Sequence, residues 1–110
     1  MLVYRLDDRL FFANVNYVES RIREAVAGSP TPVHWLVFDA EGLNHVDATG
    51  VDLLTNLIEA MRKESITFVF ARLKGPVTEY LQDAGVLRLV GEGYIYATVS
   101  AAVDAAPAPA

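Results

Sequence analysis

The chain has 110 residues, a net charge of −5 and no cysteine, and 53% of its residues are hydrophobic. This length corresponds to one domain, and the apolar fraction is too high for a disordered chain. The absence of cysteine excludes a disulfide framework and a thiolate metal site, while the scattered Lys and Arg residues disfavour nucleic acid and anionic membrane surfaces as partners.

Two short strands are predicted at the start of the chain. Leu2–Leu6 has the pattern of a strand, and after a turn of two aspartates Leu10–Phe12 is a second strand that pairs back on the first as a hairpin. Because side chains alternate along a strand, Phe11 and Phe12 are expected on opposite faces, one in the core and the other exposed.

Helices and strands alternate after this hairpin. Asn14 is a suitable N-cap for a helix that ends at Gly28. Val33–Phe38 is apolar on both faces, as expected of a central strand covered by helices. A second helix begins near Thr49, and Thr67–Leu73 is another buried strand.

The last third of the chain continues this pattern. Pro76 lies in the first turn of a third helix, which ends at Gly85. Tyr94–Ala97 is a last short strand, and Val99–Ala105 is a terminal helix.

This order of elements predicts a single α/β domain with a mixed, mostly parallel sheet of four to five strands and about four helices. We place the domain at residues 1–104. The Ala- and Pro-rich residues 105–110 are expected to form a flexible tail. No apolar stretch reaches the roughly 20 residues that a transmembrane helix needs, and no signal peptide is visible, so a cytoplasmic location is expected.

The segment from Trp35 to Gly50 is the most informative part of the sequence, since it joins a buried strand to a helix N-terminus. Residues 49–52 match a capping box, with Asp52 in place of the usual Glu, and either Asp47 or Thr49 could supply the cap. The unpaired N–H groups of such a terminus favour an anion or an added phosphate.

Asp47-Ala48-Thr49-Gly50, opening a helix after a buried strand, resembles the signature of STAS domains. These domains occur in bacterial anti-sigma-factor antagonists and in the cytoplasmic C-terminal part of SulP-type sulfate permeases. Further segments are similar to the permease branch: Val3–Leu6, Leu10–Asn14, Lys74–Val77, Leu81–Val86 and Tyr94–Tyr96.

The resemblance implies a non-catalytic regulatory or interaction domain of a SulP-type sulfate or anion transporter. Its expected partner is the transmembrane domain of its own transporter or another cytosolic protein, without direct insertion of this segment into the membrane. Weak binding of GTP or ATP is also implied, since nucleotide binding is attributed to the family. We expect partner or nucleotide contacts at Glu41, Asn44, Asp47, Thr49, Gly50 and Asp52.

The alternative is a free anti-sigma-factor antagonist that is switched by phosphorylation. In the antagonists, a kinase phosphorylates the hydroxyl residue just before this glycine, and that position is Thr49 here. The antagonist pattern is more often Asp-Ser-Ser-Gly, so Ala48 departs from it while one hydroxyl remains.

The sequence contains no recognisable catalytic or metal-binding motif, so we predict that the protein is not an enzyme. It lacks a nucleophile elbow, a P-loop and a Gly-x-Gly-x-x-Gly loop. His34 and His45 are isolated, which disfavours zinc. Asp8, Asp39 and Lys74 suggest a phospho-receiver site, but the chain is too short between the two aspartates for the strand–helix unit that a receiver needs there.

Overall fold

The computed structural model describes residues 1–108, which form one four-stranded sheet and five α-helices. The strands are β1 (Leu2–Arg5), β2 (Trp35–Asp39), β3 (Thr67–Ala71) and β4 (Ile95–Tyr96). The helices are α1 (Val15–Ala27), α2 (Ala48–Lys63), α3 (Gly75–Asp83), α4 (Val86–Val90) and α5 (Val99–Asp104), with a 3₁₀ turn at Glu92–Tyr94.

The sheet has the strand order β1-β2-β3-β4, and each of these neighbouring pairs is parallel. Val3 lies beside Val37, and Phe38 beside Phe70. All five residues of β2 are buried, as the apolar run predicts for a strand covered on both faces. The predicted α/β class and single domain are therefore confirmed.

The predicted opening hairpin is wrong. β1 pairs in parallel with β2, and Leu10 forms an isolated parallel bridge with Val46. The Leu10 N–H donates to the His45 carbonyl at 2.8 Å, and the Asp47 N–H donates to the Leu10 carbonyl at 3.1 Å. Leu10 is fully buried in the main core, so its burial beside the start of α2 outweighs the local strand preference of a three-residue apolar segment.

Asn14 precedes α1 as predicted, but its side chain does not cap the helix. Its Oδ1 accepts a hydrogen bond from the Phe11 N–H at 2.9 Å, and its Nδ2 donates to the Arg9 carbonyl at 2.7 Å. The amide therefore fastens the turn before the helix. Phe11 is half-buried and Phe12 is 73% exposed, so one of the two phenylalanines faces solvent as expected.

Two apolar layers flank the sheet. The larger one lies under α1 to α4 and contains Phe38, Phe68 and Phe70, whose ring centroids are 5.2–5.9 Å apart. The smaller one lies under α5, where Trp35 Nε1 donates to the Ala102 carbonyl at 2.9 Å.

The predicted tail begins where α5 ends, and Ala106 packs against the smaller apolar layer. The last two residues of that prediction, 109 and 110, lie outside the described residues. Within residues 1–108, no helix is both long and apolar enough to cross a membrane.

Candidate functional site

The N-terminus of α2 is fastened by Asp47, which is the N-cap residue and has an extended backbone. Its Oδ1 accepts a hydrogen bond from the Gly50 N–H at 2.8 Å, and its Oδ2 accepts one from the Phe12 N–H at 3.0 Å. The capping box predicted from Thr49 is therefore wrong. The N-cap lies two residues earlier, at Asp47, whose carboxylate accepts from one N–H of the first helical turn and from one N–H of a distant loop.

These hydrogen bonds lower the pKa of Asp47 from its ordinary value of 3.8. The Gly50 N–H makes the largest contribution, partial desolvation opposes it, and the N–H of Phe12 and the hydroxyl and N–H of Thr49 add to the lowering. The carboxylate is thus held in its charged form. It ties the start of α2 to a loop that lies 35 residues earlier in the chain.

Gly50 brings the first turn of α2 into close contact with the Leu10 bridge. A Cβ atom at this position would lie 2.6 Å from the Leu10 carbonyl oxygen and 2.8 Å from Val46 Cγ1. Gly50 is buried and helical, so the glycine is needed for space and not for an unusual backbone angle. It is a packing residue and is not accessible to a ligand.

Three of the predicted contact residues lie along one groove between α2 and α3, called the α2–α3 groove below. Asn44 and Asp47 line its first part, which has a volume of about 390 Å³ and includes Tyr80. Past Tyr80, it continues into a depression of about 420 Å³ that includes Asp52 and Asp83. The remaining lining residues are His45, Val46, Ala48, Val51, Pro76, Val77 and Ala84.

Thr49 does not line this groove and faces the α1 side of α2. It is exposed and lines a shallow depression of about 170 Å³ together with Asn16 and Glu19 of α1 and Asn56 of α2. Thr49 therefore lines a different depression from Asn44 and Asp52, which the sequence grouped with it, although Asp52 follows Thr49 by one turn of α2. A group added to the Thr49 hydroxyl would be displayed next to α1.

Glu41 belongs to a separate cluster of charges at the carboxyl ends of β1, β2 and β3. Asp39 is 3% exposed and accepts hydrogen bonds from Arg72 Nη2 at 2.8 Å, Arg72 Nε at 3.2 Å and the Glu41 N–H at 3.1 Å. Glu41 forms ion pairs with Arg72 and Arg5, and Arg5 also pairs with Asp7 at 2.6 Å.

Sequence reasoning missed the Asp39–Arg72 pair. The available signal is positional, because each residue lies at or just past the end of a buried strand, and the carboxyl ends of parallel strands meet at one edge of the sheet. Arg72 has a φ of 59°, a region that non-glycine residues seldom adopt, and its two hydrogen bonds to Asp39 hold it there.

A parallel α/β domain with this capped turn at the start of α2 has the architecture of a STAS domain. The chain belongs to that family, whose sequence profile matches residues 1–102. The family resemblance derived from Asp47–Gly50 is therefore confirmed.

Among its relatives, a probable sulfate transporter of Mycobacterium tuberculosis is 36% identical over 105 residues, which is 96% of this chain and 19% of the transporter. The STAS domain of a SulP transporter from Vibrio cholerae superposes with a TM-score of 0.77 at 26% identity, covering 94% of this chain and 78% of that one. The anti-sigma factor antagonist SpoIIAA, in its unphosphorylated form, has a TM-score of 0.65 at 19% identity, covering 93% and 84%, and shares the fold. The chain spans about one fifth of the length of the curated transporters that it matches.

Proposed function

We propose that this chain is a non-catalytic regulatory domain of a SulP-type anion transporter, which lies at the cytoplasmic face of the membrane and contacts the transmembrane part of the same protein. The observation that carries this proposal is the match that covers 96% of the chain but only 19% of a probable sulfate transporter. Sulfate or a related anion is then the substrate of the whole transporter. The domain acts on transport by contact.

The surface around the start of α2 is suited to such contact because it is rigid and exposed. Hydrogen bonds hold the loop before α2 at both ends. The Ala40 N–H donates to the Ala71 carbonyl at 2.8 Å, and the Asp47 N–H donates to the Leu10 carbonyl at 3.1 Å. A loop on a rigid scaffold is a common place for binding residues, since partner contact then costs little ordering entropy.

The test is anion uptake by the intact transporter from which this domain comes. Ala48→Arg places a large cation at an exposed position of the α2–α3 groove and should reduce uptake at unchanged protein abundance. Ser20→Arg, on the exposed side of α1, is the matched control and should leave uptake unchanged. Unchanged uptake after removal of the whole domain would contradict the proposal.

A second candidate is the antagonist-type switch at Thr49, which is favoured by the exposure of Thr49 in the first turn of α2. A phosphate there would be stabilised by the helix dipole but would face the carboxylate of Glu19 across the same depression. Mass spectrometry of the protein from its own cells tests this candidate. Phosphate on Thr49 would support it, and unmodified Thr49 throughout growth and stress would contradict it.

Weak binding of GTP or ATP is a further proposal, supported by the uncapped N-terminus of α3, which follows Lys74. The carboxylates of Asp52 and Asp83 oppose it, because they would repel the phosphates of a nucleotide in the α2–α3 groove. In an NMR titration with GTP, saturable shifts at Gly75 and Asn44 would support the proposal. Shifts that are absent or non-saturable would refute it.

A further inference from the structure

We propose that the α2–α3 groove binds a basic amphipathic helical segment, with apolar side chains on the groove floor and Lys or Arg side chains on the acidic rim. This inference rests on the proposed function in one respect, which is the source of the segment. In an intact transporter, we assign it to a cytoplasmic loop of the transmembrane part.

The floor of the groove is apolar and includes a partly exposed aromatic ring. Tyr80 is 42% exposed and lines both parts of the groove, so its ring lies where the two parts meet. Val77 is buried below the surface, and Val51 and Pro76 contribute further apolar area. Exposed aromatic side chains in concave apolar surfaces are typical of the residues that dominate binding energy.

The rim of the groove is acidic and its charges are unpaired. Asp52 and Asp83 are exposed, and within residues 1–108 neither forms an ion pair. No Lys or Arg lines either part of the groove among the described residues. The acids of α1 differ, because Glu19 pairs with Arg23 and Glu24 with Arg21. The groove therefore offers negative charge that the domain itself does not neutralise.

These features select the occupant. An amphipathic helix is the element that fills an apolar groove between two helices, and its flanking cations would complement the rim. A second copy of this chain is a poorer occupant, because each copy carries a net charge of −5. Cytoplasmic loops of membrane proteins carry an excess of Lys and Arg, which is the charge that this groove lacks.

The test uses the 110-residue protein and a synthetic amphipathic helical peptide with Leu and Phe on one face and Lys on the flanking positions. A second peptide has every Lys replaced by Glu. We expect saturable binding of the Lys peptide only, with NMR shifts at Ala48, Tyr80 and Ala84. Binding should weaken as salt rises from about 0.05 M to about 0.5 M, because surface charge pairs are screened.

Two double variants decide the question. Each removes one negative charge from α2 and one from α3, inside the groove in the first variant and outside it in the second. Asp52→Asn with Asp83→Asn should weaken binding of the Lys peptide roughly two- to thirtyfold and reduce its salt dependence. Glu59→Gln with Glu79→Gln removes two exposed charges of α2 and α3 that do not line the groove, and should change affinity less than about twofold.

Equal binding of the two peptides, equal effects of the two double variants, or shifts confined to other surfaces would each overturn the proposal. Thermal unfolding of both double variants checks that they are folded. This experiment is independent of transport. Peptide binding with unchanged uptake after removal of the whole domain would refute the proposed function alone, and reduced uptake after that removal without peptide binding would refute the groove proposal alone.

Discussion

Gly50→Ala tests whether the start of α2 is held in place by close contact with the Leu10 bridge. The added Cβ would lie 2.6 Å from the Leu10 carbonyl oxygen and 2.8 Å from Val46 Cγ1, well inside the 3.5–4.0 Å at which non-bonded atoms attract. The nearest atom belongs to the backbone, so a side-chain rotation cannot relieve the overlap. The first turn of α2 must move away from the bridge instead.

Three free-energy terms decide the sign of the change, one favourable and two unfavourable. Alanine is favoured over glycine inside a helix by up to about 1 kcal/mol. Overpacking of a buried position costs about 1–3 kcal/mol and occasionally more, and separation from the bridge would also weaken the Asp47–Leu10 hydrogen bond, worth about 0.5–1.5 kcal/mol. We expect a net loss of about 1–3 kcal/mol, and each kcal/mol corresponds to a fall in Tm of about 4–8 °C.

Gly75→Ala is the matched control, because Gly75 also lies in the first turn of a helix but has no atom within 4 Å of a Cβ at that position. It should stabilise the domain by about 0.4–1 kcal/mol. Thermal unfolding followed by circular dichroism measures both variants. If Gly50→Ala is as stable as wild type or more so, while Gly75→Ala behaves as expected, the contact at the bridge does not constrain α2 and the reasoning is refuted.

Four further substitutions test the charges and the hydroxyl around the site. The pKa of Asp47 in the folded protein is lowered from 3.8, so its stabilising contribution is complete above pH 3.8 and is lost as pH falls through the folded pKa. Between about pH 5 and pH 2, the free energy of unfolding should therefore fall more steeply with decreasing pH in wild type than in Asp47→Asn. Thr49→Ala should change the free energy of unfolding by less than about 0.5 kcal/mol, since Thr49 is exposed and is not the cap, and a loss above about 1 kcal/mol in denaturant melts would contradict this. Arg72→Ala should lower the free energy of unfolding by about 1.5–3 kcal/mol, because it leaves the buried Asp39 carboxylate with one N–H partner. Arg5→Ala should lower it by less than about 1 kcal/mol in the same melts. Equal losses in the two variants would refute the distinction.

The fold was predictable wherever a long apolar pattern decided it. β2 and β3 are apolar on both faces, and α2 presents a long apolar stripe, so their type and order follow from the sequence. The segment around Leu10 was not predictable, because a run of three apolar residues fits a hairpin as well as a bridge. Only the distant bridge partner Val46 and the core under α2 decide between the two.

The site was predictable as a region but not as a surface. The sequence correctly indicated that the loop before α2 leads into the first turn of the helix. It could not show that Asn44 and Thr49 line different depressions, since that depends on where α1 and α3 pack. The sequence did not single out Tyr80 as a binding residue, because its 42% exposure follows from the space left between α2 and α3.

The four residues that identify the family divide into two physical roles. Asp47 and Gly50 hold the turn, one through two hydrogen bonds to backbone N–H groups and the other through its contact with the Leu10 bridge. Ala48 and Thr49 lie between them, are exposed, and face different depressions. Substitutions at the outer two positions should therefore act through stability, and substitutions at the inner two through binding. This is why Ala48→Arg can report on partner contact in a domain that remains folded.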